Sequence, residues 1–124
     1  EGDWSKAEVL LVDQVGWLAE LYAWGDMAFI GGSFKKTVHS VMEALGAGLK
    51  TFVGPKHLNN REAIEFQSIR GAVQVVHDAD DLRRAVEHLS LAELKAFKRD
   101  FQLDFVARLG ATKKLAVSIV APLL

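Results

Sequence analysis

The chain contains no cysteine. Disulfides, thiolate nucleophiles and thiolate metal sites are therefore excluded. The absence also fits a reducing compartment. Proline is scarce, at 2 residues, and so is tyrosine, at 1. Net charge is scarce as well: 15 basic residues against 16 acidic ones leave −1. No bulk field draws the chain to nucleic acid or to an anionic membrane. Basic residues do not interleave with aromatics as a nucleic-acid surface requires. No apolar run approaches the roughly 18 residues of a spanning helix. The first residues, Glu1-Gly2-Asp3-Trp4, lack the basic and apolar regions of a signal peptide. They also lack an initiator methionine, which points to a processed or excised fragment. HExxH, GxSxG and GxxxxGK[ST] are all missing. A zincin site, a nucleophile elbow and a P-loop are thus unsupported.

What is present is one domain's worth of chain, 124 residues, half of them hydrophobic. Strand and helix signals alternate. Residues 9–12 form a continuous apolar run, as in a buried parallel strand. Leu18, Ala19, Leu21 and Tyr22 then have helical spacing. Residues 27–30 predict a second strand, closed by Gly31-Gly32. Residues 40–47 predict a helix with Val41, Met42, Ala44 and Leu45 inward. Residues 51–53 predict a third strand, stopped by Gly54-Pro55. Residues 60–69 predict a helix capped by Asn59 or Asn60, with Ala63, Ile64 and Phe66 inward. Residues 73–76 predict a fourth strand. Asp78 or Asp80 can cap a helix over 81–89. Leu94, Phe97, Phe101, Phe105 and Leu109 recur at helical spacing over 91–109. Gly110 is expected to interrupt this helix before a last, strongly apolar one over 111–123.

This order predicts an α/β fold, a three-layer Rossmann-like domain with a parallel sheet. Four strands are fewer than the six of a doubly wound domain. The pattern therefore predicts that the first strands lie outside this chain. The apolar residues of the last helix exceed what a terminal helix covers alone. They suit packing against another domain or a second copy.

Chemistry concentrates beyond the predicted strand ends. Gly31, Gly32 and Ser33 can bring backbone N–H groups and a hydroxyl to anionic oxygens. Lys35 and Lys36 in the same loop can neutralise phosphate. The same residues equally suit a tight turn with two solvated lysines. His39 and Glu43 are four apart and share a helix face. Ser40 near the helix start could help hold an anion. A carboxylate there suits the paired hydroxyls of a ribose, but a surface ion pair would look the same. Lys56, His57 and Asn60 could line the cleft beyond Gly54 and Pro55. Asp13 and Gly16 follow the first predicted strand. His77, His88 and the charges over 78–84 read as ordinary helix-start surface. The histidines have no metal-ligand spacing.

The ordered series Asp13-x-x-Gly16-x-Leu18, Leu21-Tyr22 and Asp26-x-Ala28-Phe29-Ile30-Gly31-Gly32-Ser33-Phe34 is distinctive. It continues through His39-x-x-x-Glu43-Ala44, Gly54-Pro55 and Glu62-Ala63. It resembles the C-terminal half of 3-deoxy-D-manno-octulosonic acid (Kdo) transferases. The resemblance implies a GT-B glycosyltransferase with two Rossmann-like domains facing a cleft. It implies CMP-Kdo as donor and a lipid A precursor as acceptor in lipopolysaccharide synthesis. Transfer would invert the anomeric centre with no metal on the nucleotide and no cofactor.

Carried onto this chain, the resemblance makes residues 1–124 part of the donor-binding domain, with 91–124 its C-terminal helical segment. Gly31, Gly32, Ser33, His39, Ser40, Glu43, Gly54 and Pro55 would bind the donor, Glu43 through the ribose. No catalytic residue is assigned, because the general base is expected in an N-terminal domain outside the chain. The fragment alone is expected to be inactive and soluble. Its parent would work at the cytoplasmic face of the bacterial inner membrane, touching it through other parts. Self-association through the apolar C-terminal helix is the remaining partner expectation. Ser40 stands where the family usually has Asn, Trp17 where many members have Glu, Gln14 for Thr and Lys50 for Pro. Residues 34–38 lack the paired glycines common before the histidine. Two alternatives stay open: a GT-B domain for another nucleotide sugar such as a UDP-sugar, and a non-catalytic α/β interaction domain.

Overall fold

The computed structural model describes residues 4–32, 34 and 40–120, with side chains over 5–108 of that range. After a 3₁₀ turn at Trp4–Lys6, the elements are α1 (Leu18–Trp24), β1 (Met27–Ile30), α2 (Met42–Gly46) and β2 (Lys50–Val53). Then come α3 (Arg61–Ser68), β3 (Val73–Val75), α4 (Ala79–Glu87) and α5 (Leu91–Val120). The three strands form one parallel sheet in the order β1-β2-β3. Ile30 pairs with Val53, and Val53 with Val75, so all three strands end level. The α/β fold and parallel sheet read from the sequence are observed.

Local chemistry explains where the helices start. Asn60 caps α3 by accepting the Ala63 N–H at 2.8 Å. Asp78 caps α4 by accepting the Asp81 N–H at 2.7 Å. Ser90 and Glu93 form a reciprocal capping box on α5, each side chain accepting the other's backbone N–H. Such a cap satisfies N–H groups that the first turn leaves without partners.

The main cluster of buried residues lies on one face of the sheet. Ile30, Val53 and Val73 meet Val41, Ala44 and Leu45 of the α2 region, Ala63 and Phe66 of α3, and Phe101 and Phe105 of α5. Phe66, Phe101 and Phe105 pack with ring centroids 5.8–6.0 Å apart. This spacing is favourable for edge and tilted aromatic pairs. Around this core α5 is tied down by polar contacts. Lys98 Nζ donates to the Gly25 carbonyl at 3.0 Å and Gln102 Nε2 to Ala47 O at 3.2 Å. Arg70 pairs with Asp104, and Arg108 with Glu65.

Several expectations are corrected. Residues 9–12 join no sheet: Val9 is 85% and Leu11 87% exposed. An apolar run marks a segment able to be a buried strand, but burial also needs a neighbouring surface. The described sheet therefore has three strands, not four. Ile64 faces solvent, while Ala63 and Phe66 face the core. Residues 40 and 41 precede α2 rather than opening it. Gly110 does not interrupt α5, which runs unbroken through Val120. One glycine costs a helix only about 1 kcal/mol, too little to break one anchored by the phenylalanine seam. The apolar side chains expected to drive self-association near the C-terminus lie outside the described residues.

Candidate functional site

Because the strands are parallel and level, their carboxyl ends gather three loops at one edge. β1 runs into Gly31-Gly32, β2 into Gly54-Pro55, and β3 into Val76-His77-Asp78. The Val76 N–H donates to Val53 O at 2.8 Å, so β2 and β3 stay joined to the edge itself. In open α/β sheets this edge is where ligands bind.

The glycine turn is unequal in its needs. Gly32 has φ +94°, a conformation that favours glycine. Gly31 is different: among the described residues a Cβ there would meet nothing within 4 Å. The described part of the fold thus leaves open space above Gly31. α2 starts beyond this turn on the core side of the sheet, and Glu43 sits exposed in its first turn. Ser40 Oγ accepts the Met42 N–H at a long 3.4 Å. Glu43 also reaches Tyr22 electrostatically: burial first, and the Glu43 charge second, raise the phenol's pKa. Ser33, Lys35, Lys36 and His39 lie outside the described residues. The shared face of His39 and Glu43 lies outside them too.

At the next loop Gly54 is buried and Pro55 exposed. His57 Nδ1 lies 3.1 Å from Pro55 O, so that nitrogen carries the proton and donates within its own loop. Asn60 Oδ1 is taken up in capping α3. Because residues 9–12 join no sheet, Asp13 has no strand end to place it beside the crevice.

Two features escaped sequence reasoning. His77 is not plain surface. Its backbone N–H donates to Asp81 Oδ2 at 2.9 Å, and its Nδ1 lies 3.2 Å from the same oxygen. These two bonds, with Arg84 adding charge, hold the Asp81 carboxyl below the usual carboxylate range. The second feature is a pocket of about 190 Å³ lined by Phe29, Phe34, Val76, Asp78, Ala79 and Leu82. Phe34 folds back over Phe29, with ring centroids 6.0 Å apart and planes 24° apart. The signal was present as two phenylalanines flanking the glycine turn, but only the fold brings α4 against them.

The level parallel strands are those of an α/β unit, and sequence relatives add to this. The 3-deoxy-D-manno-octulosonic acid transferase of Chlamydia muridarum is 34% identical over 102 residues, 76% of this chain and 24% of that protein. The enzyme of the same name from Haemophilus influenzae is 34% identical over 86 residues, 68% of this chain and 20% of that protein. That of Chlamydophila psittaci is 35% identical over 57 residues, 44% of this chain and 13% of that protein. The chain is Kdo transferase-like. It spans no more than a minor part of the curated relatives it matches, at most 24% of their length in these comparisons. No family model matches it. No solved structure matches it.

Two departures of this Kdo transferase-like chain from the family pattern can be placed. Lys50 lies at the amino end of β2, the edge away from the glycine turn. Its amine donates to the Gly71 carbonyl and stands 5.9 Å from the centre of the Phe97 ring. Partial burial lowers its pKa. Trp17 immediately precedes α1 and is 57% exposed. Neither residue is a core element of the glycine-turn edge. Among the described residues no helix is long and apolar enough to cross a membrane.

Proposed function

We propose that this chain is the donor-binding portion of a GT-B glycosyltransferase that moves Kdo from CMP-Kdo to a lipid A precursor in lipopolysaccharide synthesis. The observation that carries the reading is the coincidence of two things. The chain is similar to several Kdo transferases, and the motif residues Gly31, Gly32, Gly54 and Pro55 follow strands that share one carboxyl edge, with Glu43 in the first turn of the helix after the glycine turn.

In this reading the open space over Gly31 admits the donor phosphate. The backbone N–H groups of Gly32 and Ser33 and the Ser33 hydroxyl receive its oxygens. His39 donates to the same anion, and Ser40 lies beside it. Lys35 and Lys36 add positive charge to the loop. Glu43 accepts from the ribose hydroxyls. During transfer the acceptor oxygen bonds to the anomeric carbon as the bond to the CMP phosphate oxygen breaks. The acceptor's proton goes to a base supplied by the rest of the full-length enzyme. The contribution of this domain is to stabilise the charge growing on departing CMP. Group transfer needs both reactants positioned together, so the isolated chain binds donor without turning it over. In the parent enzyme residues 91–124 complete the donor domain, and the reaction takes place at the cytoplasmic face of the inner membrane.

The test is an NMR titration of the chain with CMP, using UMP and UDP as controls. CMP-selective shifts over residues 31–33 and at His39 and Glu43 are expected. Stronger binding of UDP would replace CMP-Kdo with a UDP-sugar. Silence toward every nucleotide would leave an α/β interaction domain instead.

A further inference from the structure

The pocket under Phe34 lies on the opposite side of β1 from Glu43. Neighbouring strand residues face opposite sides of a sheet. Ile30 points into the core formed with α2, so Phe29 points the other way, toward Ala79 and Leu82 of α4. Its register partner Phe52 shares that face and is 1% exposed, whereas Phe29 is 44% exposed. The outer face is therefore closed over β2 and open over β1, directly beneath the glycine turn.

The chemistry of the opening is specific. Two stacked rings, each nearly half exposed, form one wall. Val76, Ala79 and Leu82 add apolar surface, and Asp78 supplies a carboxylate. Asp78 Oδ1 is committed to the Asp81 N–H. Its second oxygen has no partner among the described residues. Asp80 and Asp81 stand nearby, each in an ion pair with an arginine of α4. The Asp78 carboxylate disfavours a phosphate or a carboxylate beside it. It accepts hydroxyl donors well, since O–H to carboxylate bonds are among the stronger hydrogen bonds. At about 190 Å³ the pocket is smaller than the roughly 300–1,000 Å³ of drug-sized sites. It suits one ring with an apolar C–H face and a hydroxyl edge, which is a sugar.

We propose that this pocket receives the glycosyl group of the donor, with the Phe34 ring as its stacking platform and Asp78 as acceptor for its hydroxyls. The inference rests on the donor-binding reading above. It extends that reading across the glycine turn: ribose on the Glu43 side, phosphate at Gly31-Gly32, and sugar on the Phe34 side. The hydroxyl-bearing part of the sugar lies toward Asp78, and any sugar carboxylate points away from it.

The experiment compares the affinities of CMP and CMP-Kdo for the 124-residue chain by calorimetry, in wild type, Phe34→Ala and Asp78→Asn. Both side chains are exposed, and asparagine caps a helix about as well as aspartate, so both variants keep the fold. Wild type is expected to bind CMP-Kdo more tightly than CMP. Phe34→Ala should cut CMP-Kdo affinity about tenfold, and Asp78→Asn several-fold, each leaving CMP affinity unmoved. CMP binding with no advantage for CMP-Kdo overturns the sugar pocket and leaves the nucleotide site standing. Equal weakening of both ligands by Phe34→Ala does the same. Failure of the wild type to bind either ligand overturns both readings.

Discussion

The carboxylate of Glu43 and the phenol of Tyr22 are electrostatically joined across α1 and α2: burial and then the Glu43 charge raise the Tyr22 pKa. Since Tyr22 is the chain's 1 tyrosine, its ionisation can be followed by ultraviolet absorbance without interference from another phenol. Glu43→Gln should therefore lower the pH at which the phenolate appears, leaving only the burial contribution. A folded-state pKa raised above the unfolded value gives stability that is complete below the unfolded value. That stability is lost as pH climbs through the folded one. Alkaline unfolding should accordingly shift less in the variant. A Tyr22 titration unchanged by Glu43→Gln would separate the two residues.

At Gly48 α5 presses closely on the chain. Its φ is +80°, and a Cβ would lie 2.7 Å from Lys98 Cγ and 2.9 Å from Gln102 Cγ. Gly48→Ala should cost roughly 2–4 kcal/mol in urea denaturation, combining backbone strain with overpacking. Gly16 provides the control. It too has positive φ, +98°, but no described residue lies within 4 Å of its Cβ position. Gly16→Ala should lose only the backbone part, about 1 kcal/mol. Equal losses at the two sites would refute the close approach of α5.

Lys50 stores a pH dependence at the far edge of the sheet. Partial burial holds its pKa below the ordinary lysine value. Between its folded pKa and the unfolded value the unfolded chain binds more protons, so stability rises with pH across that window. Lys50→Met should abolish the rise. At neutral pH it should be neutral or stabilising by under about 1 kcal/mol, because the ammonium no longer leaves water. Thermal unfolding from pH 7 to 10.5 measures both effects, and a destabilised variant with an unaltered slope would count against this account.

The legible part of the fold was the part carried by local pattern. The runs ending at Ile30, Val53 and near Val75 are strands because each is short, apolar and stopped by a turn. Asn60 and Asp78 cap helices as their side-chain chemistry suggested. The Phe97-Phe101-Phe105 spacing did mark the seam of α5, with Phe101 and Phe105 buried. Residues 9–12 show the limit of such patterns. The same apolar run that makes a strand possible cannot supply the neighbour that buries it. The glycine turn and the Gly54-Pro55 loop were legible as candidates. The roles of His57 and His77 were not, because each is decided by a partner fixed by loop geometry.

By itself the sequence determined that this is an α/β chain, where most of its elements lie, and which motif residues it shares with Kdo transferases. These properties depend on residue type and spacing along the chain. Tertiary structure alone decided that the three strands end level, that Phe34 folds over Phe29 to face α4, and that Glu43 stands on the other side of the turn. Those relations join residues far apart in sequence. They are set by sheet register and side-chain packing, which no local propensity encodes.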